Sequence, residues 1–146
     1  MPVFFSFAQV REDLDRHMVG LSREQVWRKI GNASLGFHLK HLAGSVDRLT
    51  TYLIGDQLSK AQLQSLRKEA EGTEEAQELV RMVDETLATS EEKLQTIDPG
   101  NLYQKRTVGR KELPTSVLGL LVHLAEHTQR HLGQAIVLAQ VARQKE

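Results

Sequence analysis

Leu35, Leu39, Leu42, Val46, Leu49 and Leu53 recur every three or four positions, a spacing that shares one face of an α-helix and neither face of a strand. Three further stretches keep the same period. Phe4, Phe7, Val10, Leu14 and Met18 carry it near the start, and Ala76, Leu79, Val80, Val83, Leu87, Leu94 and Ile97 form a broad stripe in the middle. Near the end, Leu118, Leu121, Leu124, Ala125, Leu132, Ile136 and Ala139 make the fourth. An apolar stripe must be buried against another element. Four long stripes with almost no strand signal therefore predict an all-α protein, a four-helix bundle.

The stop and start residues divide the chain accordingly. The first helix is expected from Val3 to Val19, with Gly20 as its stop, and Ser22 followed by Gln25 reads as a capping box for a short helix. The second long helix runs from Ser34 to Ile54 and ends at Gly55. Residues 56–72 are polar, with only Leu58, Leu63 and Leu66 to bury, so they form a connection with room for one helical piece. Thr73 opens the third helix, which ends at the DPG of 98–100. Residues 98–113 are the clearest irregular segment, with a short extended piece around Lys105 to Val108. The last helix follows Pro114, with Thr115 or Ser116 as cap, and continues to about Val141. With no repeat, low-complexity tract or linker, the 146 residues read as a single domain, 1–146.

Composition narrows the chemistry. Lys plus Arg and Asp plus Glu each number 19, so no global field favours nucleic acid or an anionic membrane. The short basic run QKRTVGRK at 104–111 lacks interleaved aromatics and reads as a solvated turn, leaving no expected nucleic-acid partner. The chain has no cysteine, which leaves any metal to His, Asp, Glu and water. The N-terminus does not read as a signal peptide, and the longest apolar run, 117–125, is interrupted by His123 and far short of a membrane span. The expectation is a soluble, cytoplasmic protein without membrane attachment.

Histidines are the residues with the most chemistry. His123, His127 and His131 follow one another at four-residue steps. With Leu120 set at zero, His127 and His131 fall about 20° to either side, at the inward margin of the apolar arc, whereas His123 lies about 60° away towards the charged face. An i, i+4 histidine pair can place two ring nitrogens on one metal ion. A third ligand is available from FHLKHLA in the second helix, which carries His38 and His41. Periodicity leaves that choice open: His38 is nearer the middle of the leucine stripe, and His41 borders it beside Ser34, Ser45 and Tyr52. Trp27 reads as a packing residue, and His17 as a surface residue near a helix end.

The segments SLGFHLKHLA and LPTSVLGLLVHLAEHTQRHLGQ, in this order along the chain, resemble the DinB-like superfamily, also called YfiT-like metal-dependent hydrolases and related to the mycothiol- and bacillithiol-dependent transferases. The resemblance implies an up-down-down-up bundle with a long crossover, and a homodimer. It implies metal ligands at His41, before the small apolar pair of GFHLKHLA, and at His127 and His131, the second of which precedes Gly-Gln. His123 is then an accompanying outer residue.

A three-histidine site of this kind would hold Zn²⁺ or Ni²⁺ and leave positions open for water or a small-molecule substrate. The resemblance implies hydrolysis, or transfer of a low-molecular-weight thiol to an electrophile, in which the thiol is a second cofactor. The competing reading is a non-catalytic helical bundle or metal-binding module with structural histidines. No catalytic base stands out: Glu126 points outward on the wheel, and Gln134 is a candidate hydrogen-bonding neighbour of the site. Substrate contacts are expected from 55–72 and 98–113.

Overall fold

The computed structural model describes residues 1–144. Four long helices carry the four stripes: α1 (Pro2–His17), α3 (Leu35–Leu53), α5 (Ala76–Gln95) and α6 (Val117–Ala142). Two short helices, α2 (Arg23–Trp27) and α4 (Lys60–Arg67), lie in the connections. Gly20 and Gly55, at φ +74° and +93°, terminate α1 and α3 in the left-handed conformation that a side chain disfavours. Ser22 and Gln25 cap α2 reciprocally, and Ser59 and Gln62 do the same for α4.

Hydrogen bonds fix the helix directions. Ser6 Oγ donates to the Ala125 carbonyl, while Arg143 at the far end of α6 donates to the carbonyls of His17 and Val19, so α1 and α6 are parallel. Lys40 pairs with Glu74 and Thr50 bonds Ser90 at 2.6 Å, so α3 and α5 also run together. His38 lies against His131, whereas Leu53, at the other end of α3, accepts from Arg106 in a strand joined to the start of α6. The α3–α5 pair is thus antiparallel to the α1–α6 pair, and the bundle is up-down-down-up. Two parallel neighbours cannot be joined by a tight turn, which is why 54–75 forms a crossover.

Phe7 and Leu14, Leu39 and Leu42, Leu79 and Leu87, and Leu120 and Leu124 fill the core from the four helices and are essentially inaccessible to solvent. Trp27 packs as expected. Its ring lies over Gly36 and Gly72, where a Cβ would collide with it, and its indole N–H donates to the Glu74 carbonyl at 3.0 Å. Among the described residues, no helix is long and apolar enough to cross a membrane.

Two expectations about the connections need correction. The extended piece at 105–108 is β1 (Lys105–Val108), but it has an antiparallel partner that the sequence reading missed, β2 (Leu113–Ser116). Pro114 obscures that strand, because proline withdraws a donor from a ladder; in a two-stranded ribbon it faces Thr107 and is tolerated. Ser116 then caps α6, its Oγ accepting from Gly119 N–H. The leucines of the crossover are not core residues either: Leu58 is half-buried, and Leu63 and Leu66 are exposed.

Candidate metal centre

The bundle brings α3 and α6 together with His41 of α3 facing His127 and His131 of α6. One ligand atom from each of the three lies within 4.8 Å of the other two. Ring centroids are 4.4 Å apart for His41 and His131, 4.6 Å for His127 and His131, and 5.3 Å for His41 and His127. All three rings are half-buried. The i, i+4 step of α6 supplies two of them, and the antiparallel approach of α3 supplies the third.

His38, the other candidate on α3, is buried and outside this triad. Its Nδ1 lies 3.0 Å from Nδ1 of His131, so one nitrogen carries the proton and the other accepts it. That contact occupies one nitrogen of His131 and leaves Nε2 for other work. His123 is the outer residue: its Nδ1 bonds the exposed Glu126 at 2.7 Å. Glu126 in turn pairs with Arg130, away from the triad. Gln134 is exposed, and among the described residues no side-chain hydrogen bond ties it to the histidines.

A residue that the sequence reading did not single out orients His41. Glu69, only 5% exposed, accepts from Nδ1 of His41 at 2.7 Å through one carboxylate oxygen and from Arg48 at 2.6 Å through the other. The remaining nitrogen of His41 lies 3.3 Å from Ser45 Oγ. A carboxylate behind a histidine fixes ring orientation and tautomer and raises ligand basicity. Gly44 makes room for this: a Cβ there would meet both the Glu69 carboxylate and the Arg48 guanidinium.

His127 Nδ1 is buried and has no hydrogen-bond partner among the described residues. Unpartnered buried nitrogens are uncommon, since desolvation without compensation is unfavourable. Three imidazoles with ring nitrogens this close together offer the kind of donor set that a borderline-soft divalent cation requires. The donor set fits such an ion.

Burial first, and then repulsion from His41, holds both His127 and His131 down to about 4, from an ordinary value near 6.5. His38 is lowered by the same two causes. Neutral rings at physiological pH are the form that binds metal. Stability follows by linkage. Above about pH 6.5 both folded and unfolded states leave His127 and His131 neutral. Between about 6.5 and 4 the unfolded chain takes up protons that the folded chain refuses, so stability falls as pH falls. Thermal melts of EDTA-treated protein from pH 8 to pH 5 should show a declining midpoint below about pH 6.5. A His127→Gln/His131→Gln variant should flatten that decline; an unchanged slope would mean other groups cause it.

Beside His127 opens a cleft of about 720 Å³ between α3, α4 and the β-hairpin. Tyr52, Leu63, Leu66, Arg67, Arg110 and His123 are among the residues that line it. Its walls include residues of both 55–72 and 98–113, together with residues of α3 and α6.

Comparison with known proteins agrees with the helical bundle. Among curated proteins none matches the sequence. The chain is similar in structure to a DinB-like protein from Bacillus cereus ATCC 10987, with a TM-score of 0.74 and 17% identity over 96% of this chain and 90% of that one. At that identity the likeness concerns the fold. The family model of the DinB superfamily matches residues 6–135, from α1 through both histidine segments to the middle of α6, and the chain therefore belongs to the DinB superfamily.

Proposed function

We propose that the protein is a metal-dependent enzyme in which His41, His127 and His131 hold a single Zn²⁺ or Ni²⁺ and the adjoining cleft receives a small-molecule substrate. The observation that carries this reading is the convergence of three imidazoles beside an open cleft. A structural site would close its shell with a fourth side chain. Here the nearby carboxylate, Glu69, is engaged by His41 and Arg48, and the neighbouring imidazole, His38, by His131.

A bound divalent ion supplies a Lewis acid that generates a nucleophile from water or from a thiol at neutral pH. The chain's own part is positional. Glu69 holds the His41 ring, and the N···N contact with His38 holds His131. Hydrolysis and low-molecular-weight-thiol transfer both suit this arrangement, and the second needs no cysteine in the protein.

The test is a turnover screen with Zn²⁺-loaded, Ni²⁺-loaded and EDTA-treated protein. Activated esters and amides report hydrolysis, and 1-chloro-2,4-dinitrobenzene with cysteine or glutathione reports thiol transfer. Turnover that disappears with EDTA and returns with metal is the expected result. Stoichiometric metal with no turnover on either class would favour the metal-binding module instead.

A further inference from the structure

The cleft beside His127 carries more information than its size. Leu63 and Leu66 of α4 line it and are 43% and 41% exposed. An amphipathic helix usually buries its leucines in the core, yet α4 has no buried residue. Polar bonds hold it off the core instead: Gln62 Nε2 donates to Asp47 Oδ2 and to Thr51 Oγ1, both at 2.8 Å. The leucines are thus presented to the cleft as an apolar wall.

The charges around that wall are unequal. Arg48, Arg67, Arg110 and Glu112 line the cleft. Arg48 is neutralised by Glu69, whereas Arg67, at the end of α4, and Arg110, in the turn between β1 and β2, form no ion pair among the described residues. Two guanidinium groups therefore face one carboxylate, one from α4 and one from the hairpin turn. Planar guanidinium groups recognise carboxylate and phosphate oxygens through paired N–H donors.

Resting on the reading of this cleft as the substrate site, we propose that its ligand is a small amphipathic anion, with an apolar body against Leu63 and Leu66 and a carboxylate or phosphate group held by Arg67 and Arg110. The apolar wall supplies contact area, the two cations supply selectivity for charge, and His127 lines the same cleft.

Octanoate, octanamide and acetate separate these contributions by isothermal titration calorimetry on the full-length chain, as purified and again after EDTA treatment. Octanoate should bind at least about tenfold more tightly than either of the others. Arg67→Ala/Arg110→Ala, a change at exposed positions, should bring octanoate to the octanamide level and leave octanamide unchanged. Leu63→Ser/Leu66→Ser should weaken octanoate and octanamide alike. Equal binding of octanoate and octanamide by the wild type would overturn the proposal, as would a preference that survives in the arginine variant or vanishes with EDTA. Because discrimination is expected in EDTA-treated protein too, a failure of the metal reading shows separately, in metal content.

Discussion

His127→Ala should lose stoichiometric metal while the bundle remains folded. Its ring provides one of three nitrogens within 4.8 Å of one another, and its buried Nδ1 has no other partner among the described residues. Loss of a residue that merely orients a ligand weakens metal sites about 10–100-fold, so deletion of a ligand itself should weaken binding at least about 100-fold. Inductively coupled plasma mass spectrometry of tag-free protein reads this directly, with far-ultraviolet circular dichroism to confirm helicity. His41→Ala and His131→Ala should behave likewise. His123→Ala should keep its metal, since that ring bonds Glu126 on the outer side. Metal-free wild type that takes up neither Zn²⁺ nor Ni²⁺ would refute the site. Equal loss in His123→Ala would shift it outward along α6.

Glu69→Ala should be the most damaging change outside the core. The carboxylate joins two groups, His41 and Arg48, and Arg48 is only 8% exposed. Breaking a buried ion pair leaves an uncompensated charge and costs about 3–5 kcal/mol, or roughly 10 °C in melting temperature for a chain of this size. The same change frees the His41 ring and should weaken metal binding about 10–100-fold. A double variant separates the two effects. Glu69→Leu/Arg48→Met removes both charges and should recover much of the stability, because apolar replacement of a buried pair is often close to neutral. Metal affinity should stay low in the double variant, since nothing then holds Nδ1 of His41. Recovery of both properties together would mean that Glu69 acts only through stability.

The residues of the candidate site were legible to different degrees. His127 and His131 stand out because a single helix sets their spacing. The choice between His38 and His41 was closed to periodicity, which mildly preferred His38 for its place in the leucine stripe. In the structure a central position is a buried one: His38 is buried behind His131, whereas His41 at the margin meets the α6 pair. The resemblance to the DinB-like family, not the wheel, pointed to His41. Glu69 lies 28 residues beyond His41 in a polar tract with several other acidic residues. No local pattern distinguishes it, because its role depends on where the crossover lands.

By itself, the sequence determined the four helices, most of their ends and the bundle class. Those features arise from interactions within a few residues: apolar periods of three and four, Ser22 as a cap, Gly20 and Gly55 as stops. Only the tertiary structure decided which histidines meet, that Glu69 and Arg48 stand behind His41 across Gly44, and that Leu63 and Leu66 face a cleft instead of the core. Each of these depends on the approach of segments distant in the chain, and such approaches follow from how whole helix faces pack and not from local preference.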